Sequence, residues 1–132
     1  MIILCVDDER DVLDLLVLHL ERADHVVRTA MSGHEALISI ARHPPQLVIL
    51  DLMLPDIDGF GVCEILRRQA GTAALPIILL TAWATQDARR MGFELGALEY
   101  LTKPFSPREI VERVARYDSA PTISSSPVAS TE

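Results

Sequence analysis

Lysine is almost missing from this 132-residue sequence: of its twelve Lys and Arg residues, only Lys103 is a lysine. That bias singles the position out, because a compact ammonium on a flexible stem is not interchangeable with a planar guanidinium. Aromatic residues make up 5%, too few for the stacking platforms of single-strand nucleic-acid binders. The formal net charge of −7 argues against a non-specific polyanion-binding surface. No apolar run approaches the roughly 18 residues that a membrane span needs. The N-terminus has no basic n-region, and its apolar run is too short for a signal peptide. Cys5 and Cys63 lie in apolar patterns without CxxC spacing. Reduced core thiols in a cytoplasmic protein are the expectation, with a structural disulfide the second choice.

What is present fits one domain. The length allows a sizeable core, and a hydrophobic content of 49% excludes disorder of the whole chain. Apolar runs at 2–6, 25–29, 47–50, 77–80 and 98–102 read as strands. Between them, helical spacing appears over 12–20, from Ser32 to Ala41, after Asp58-Gly59, over 84–95 and from Ser106 to Ala115. Ser32 and Glu35 fit a capping box, and Pro107 takes the first helical position that proline favours. The fourth helix has a weak stripe (Ala88, Met91, Leu95), which predicts a marginal, mobile element. Gly96 ends it. Five strands alternating with five helices predict an α/β fold, a doubly wound parallel sheet covered on both faces. His19, His25, His34 and His43 lack ligand spacing and are expected at the surface or an edge. Asp56 and Asp58 read as turn and cap residues. Beyond Tyr117 the composition turns to Ser, Pro, Thr and Ala. This gives a domain over 1–117 and a disordered tail or linker over 118–132.

The chemistry gathers at the strand ends. Asp7-Asp8, Asp51, Thr81 and Lys103 each follow an apolar strand, and in a parallel sheet those ends share one edge, where such sheets bind ligands. Crowded carboxylates repel one another unless a cation sits among them. Hard oxygen donors suit Mg²⁺ or Mn²⁺, and the absence of thiolate and imidazole from the edge argues against zinc. An aspartate can accept a phosphoryl group, whose equatorial oxygens need positive and hydrogen-bonding partners. Lys103 and Thr81 supply these. Read singly, the residues are ordinary: Asp51 starts a turn, Thr81 is an N-cap, and Asp7-Asp8-Glu9 with Asp11 charges a helix's first turn.

Four blocks carry a resemblance: Val6-Asp7-Asp8-Glu9; Val48-Ile49-Leu50-Asp51-Leu52-Met53-Leu54-Pro55 with Asp58-Gly59; Leu80-Thr81-Ala82; and Tyr100-Leu101-Thr102-Lys103-Pro104-Phe105. Together they resemble the signature of bacterial response-regulator receiver domains. The run from Thr102 to Glu109 with Arg113 is similar to receivers of winged-helix DNA-binding regulators. The resemblance implies a flavodoxin-like sheet of order 2-1-3-4-5. By position it implies Asp51 as phosphoacceptor, with Asp8, Asp51 and the Met53 backbone carbonyl binding Mg²⁺ and Asp7 acting through water. Thr81 and Lys103 would hold the phosphoryl group, Tyr100 would be an aromatic switch, and the Lys103-Pro104 bond would be cis. The implied partner is a histidine kinase or phosphotransfer protein. Homodimerisation on phosphorylation, and DNA contact only through an output domain, are further expectations. The chain would promote its own phosphorylation without being an enzyme in the ordinary sense.

Some positions depart from the family pattern. Met53 and Trp83, which border the path of hydrolytic water, are bulky and apolar, so they are expected to shield the phosphoryl group. Alternatively Trp83 lies flat on the fourth helix or contacts a partner. Leu98 stands where the winged-helix subfamily has an acid. Three rivals remain. An Asp-nucleophile phosphohydrolase would want a carboxylate where Met53 stands. A flavin module would want Ser, Thr or Gly after the first strand. A degenerate receiver serving only as an interaction module is disfavoured by the intact residue set.

Overall fold

The computed structural model describes residues 1–118 and has the element order β1 (Ile2–Val6), α1 (Arg10–Arg22), β2 (Val26–Ala30), α2 (Gly33–Arg42), β3 (Leu47–Leu50), α3 (Gly59–Arg68), β4 (Ile77–Thr81), α4 (Gln86–Glu94), β5 (Glu99–Thr102) and α5 (Pro107–Ala115). The five strands form one parallel sheet in the order β2-β1-β3-β4-β5. This is the expected flavodoxin-like arrangement. The expected tail lies, apart from Asp118, outside the described residues.

The strands alternate their side chains between two cores. Leu4, Val6, Val48, Leu50, Ile77 and Leu79 pack toward α2, α3 and α4. Ile3, Cys5, Leu47, Ile49, Ile78 and Leu80 pack toward α1 and α5. Both faces are covered, which is why the central strands read as unbroken apolar runs. Cys5 and Cys63 are buried free thiols, pushed up by desolvation to about 12 and about 11.

Side-chain caps define several helix starts. Ser32 accepts from the Glu35 amide, Asp58 from Gly61, Thr85 from Ala88 and Ser106 from Glu109. The capping box at α2 is shifted: Glu35 reaches back to the Met31 amide, one residue beyond Ser32. Asp56 adds to that end by accepting from the Gly33 and His34 amides, which hold its carboxyl down at about 2.

Three expectations need correction. Strand β2 starts one residue later than predicted, and His25 before it is buried. Its Nδ1 lies 3.1 Å from the Met1 amino group, and burial together with that charge holds its pKa below the ordinary imidazole value. In α4 the core-facing residues are Ala88 and Gly92, while Met91 is 48% exposed. A Cβ on Gly92 would meet Leu79 at 2.7 Å and Tyr100 at 3.1 Å, so only glycine lets this helix lie so close to the sheet. The Trp83 ring packs against Phe60 of α3, with centroids 5.7 Å apart.

At the opposite end of the sheet, Arg67 in the last turn of α3 ties two loops together. It donates to the carbonyls of Leu75, Ala73 and Thr72 before β4, and to those of Leu95 and Gly96 before β5.

Candidate functional site

The candidate residues are fixed by backbone hydrogen bonds that run on past the strands. The Asp7 amide donates to Ala30, Asp51 to Val6 and Lys103 to Thr81, at 2.9–3.1 Å. Each polar residue is therefore held by the neighbouring strand. The Lys103-Pro104 bond is cis.

Within this frame the side chains converge. The Lys103 ammonium lies 2.7 Å from Asp7 Oδ2, 2.9 Å from Asp51 Oδ2 and 3.0 Å from Glu9 Oε1. The other Asp7 oxygen accepts from the Glu9 amide at 2.9 Å, and the other Asp51 oxygen from the Met53 amide at 3.0 Å. Asp7 and Asp51 are buried, whereas Asp8 is exposed. Burial alone would lower the Lys103 pKa, but hydrogen bonds to Asp7, Asp51 and Glu9 outweigh it and hold the ammonium above its usual range. Burial pushes the Asp7 carboxyl up, against the pull of Lys103.

Asp7, Asp8 and Asp51 each bring a carboxylate oxygen within 4.8 Å of the others. An all-oxygen set of this kind fits a hard divalent cation such as Mg²⁺ or Mn²⁺. Asp8, Asp51, Met53 and Lys103 line an open cleft of about 740 Å³, with Val12, Leu15 and Phe105 among its apolar walls.

Thr81 and Tyr100 are close in space but do not touch the carboxylates by hydrogen bond. Thr81 is fully buried and its Oγ1 accepts from the Trp83 amide at 3.2 Å. Tyr100 points inward, and its hydroxyl donates to the Trp83 carbonyl. Arg89 sits over its ring, 5.1 Å from the centroid. The backbone of Trp83 thus links the two residues. Its side chain is 42% exposed and, with the 58% exposed Met53 and with Asp8, borders a second opening.

Glu9 was not legible as a site residue. In the sequence it reads as one more acid in a helix's first turn, and the lysine that recruits it is 94 positions away.

Residues 3–115 match the family model described as the response regulator receiver domain. The alkaline phosphatase synthesis transcriptional regulatory protein PhoP of Bacillus subtilis is 47% identical over 112 residues, which cover 85% of this chain and 46% of that protein. The chain spans about half the length of the curated relatives it matches. Among solved structures, a Chloroflexus aurantiacus protein assigned as a response regulator is 44% identical with a TM-score of 0.83, covering 88% of this chain and 95% of that one. The Vibrio cholerae chemotaxis protein CheY4 is 28% identical with a TM-score of 0.82, covering 88% and 97%. The arrangement of acids and lysine at the sheet edge and these likenesses agree: the chain belongs to the response-regulator receiver domains of two-component systems.

Proposed function

We propose that this domain is a phosphorylation-dependent switch in which Asp51 accepts a phosphoryl group from a histidine kinase or phosphotransfer protein. One observation carries the reading: the chain's only ammonium from a lysine bridges Asp51 and Asp7, with Asp8 alongside. An Asp51 oxygen attacks phosphorus, and the bond to the donor imidazole nitrogen breaks. That nitrogen leaves with the electron pair, and the donor ring departs as neutral imidazole because its other nitrogen carries a proton. Asp7, Asp8, Asp51 and the Met53 carbonyl would hold Mg²⁺ or Mn²⁺, which when bound neutralises charge on the carboxylates and phosphoryl oxygens. Lys103 meets one phosphoryl oxygen and the Thr81 hydroxyl another.

To reach the phosphoryl group, Thr81 turns from the Trp83 amide, and Tyr100 is coupled to it through the Trp83 carbonyl. The change passes to the face made by α4, β5 and α5, and from there to an output domain or a partner in the cytoplasm. A phosphohydrolase would need an acid or base two residues after Asp51, and Met53 has neither group. Incubation with Mg²⁺ and a small phosphodonor, followed by intact-mass measurement, tests the proposal. Wild type should gain one phosphoryl group and Asp51→Asn none. Equal uptake by both, or none by either, would sink it.

A further inference from the structure

We propose that Glu9 is a positioning residue that holds Lys103 in the resting site and releases it to the arriving phosphoryl group. The proposal rests on Asp51 being the acceptor. Lys103 donates to Asp51 at 2.9 Å and to Glu9 at 3.0 Å and pairs with Asp7 at 2.7 Å, so three carboxylates already surround a group that has three N–H donors. A phosphoryl oxygen can therefore be met only if one of these contacts opens.

The three partners are not equally dispensable. The Asp7 side chain is 2% exposed, so water cannot take the lysine's place there, and opening that contact costs more than opening an exposed one. Asp51 carries the new group itself and stays beside it. The Glu9 side chain is 61% exposed, so water replaces the ammonium there at little cost. Glu9 is the contact that opens.

The helix does not account for this placement. Glu9 is the N-cap of α1, yet its side chain makes no capping hydrogen bond. Short polar residues are the good N-caps, because their oxygens reach the N2 or N3 amide. The Glu9 carboxylate instead reaches across the site to Lys103, 94 positions away in the sequence. Its effect falls on one step only. Loading requires the Glu9 contact to break, whereas loss of the phosphoryl group starts and passes through states in which it is already broken. Glu9 sets how fast the switch is loaded and not how long it stays loaded.

Glu9→Ala removes the carboxylate, and Glu9→Asp keeps the charge but is one methylene too short to hold the lysine. With Mg²⁺ and phosphoramidate, both variants should load about two- to five-fold faster than wild type, the factor an exposed ion pair supplies. The decay constant of the phosphoprotein should stay the same. Wild-type loading by Glu9→Asp overturns the proposal, since charge alone would then explain Glu9→Ala. Faster decay in either variant overturns it too, since it marks general damage to the site.

The lone lysine gives a readout that needs no phosphorylation. Protein labelled with ¹⁵N at lysine Nζ yields one side-chain ammonium signal, and its protons should exchange with water faster in both variants. Equal exchange in all three proteins overturns the tether even where Asp51 is phosphorylated normally. Failure of wild type to take up phosphate, with exchange still slowed by Glu9, would instead remove the acceptor reading and the release step with it.

Discussion

Met53 and Trp83 are the two residues around the site whose chemistry is least like that of the groups they flank. Both are large, apolar and substantially exposed, and both border the opening beside Asp8. Neither offers a base able to take a proton from an attacking water, so on the proposed reading a phosphoryl group on Asp51 is expected to be long-lived. Replacing the pair by Asn and Glu should speed dephosphorylation about tenfold, a modest fraction of what a well-placed base contributes. An unchanged decay rate, followed by mass spectrometry or loss of radiolabel, would remove that explanation. At this scale the sequence was informative wherever a polar residue interrupts an apolar run. Asp7, Asp51, Thr81 and Lys103 each stand at such an interruption, and a parallel sheet leaves them nowhere to go but one edge. Glu9 and His25 were opaque for the same reason. Each is defined by a distant partner, Lys103 for the first and the Met1 amino group for the second.

Among the elements, α4 was the least legible. Its contact with the sheet is made by Ala88 and Gly92, residues too small to register as an apolar stripe. The helix is anchored unequally. At its start it has the Thr85 cap, and beyond its end the Leu95 and Gly96 carbonyls are held by Arg67. A single guanidinium therefore fastens the loops before β4 and β5 to the end of α3. Arg67→Met should lower the free energy of unfolding in urea by about 2–3 kcal/mol, since several carbonyls lose a charged donor and only some regain water. Amide exchange should rise mainly in those two loops. Stability equal to wild type would mean that solvent satisfies the carbonyls as well as Arg67 does.

For the molecule as a whole, the face made by α4, β5 and α5 is where assembly would be decided. Glu99 is engaged by Arg113 and by the Tyr117 hydroxyl of its own chain, and Leu98 beside it is exposed. Charges satisfied within one chain have little to offer a second one. If beryllofluoride, a phosphoryl mimic, drives dimer formation on a sizing column, that dimer should survive high salt, because screening weakens exposed charge pairs far more than apolar contact. Dissociation by salt would point instead to a charge network across the interface.

The bridge from Lys103 to Glu9 spans 94 positions, and that from Lys103 to Asp51 spans 52. Closing loops of that size has an entropic cost that only the docked sheet repays. The proposed acceptor site is thus complete only once β5 has docked. A nascent chain still short of β5 displays Asp51 without its ammonium, as does one whose last strand has frayed. On the proposed reading, competence to accept a phosphoryl group is in this way tied to completion of the fold.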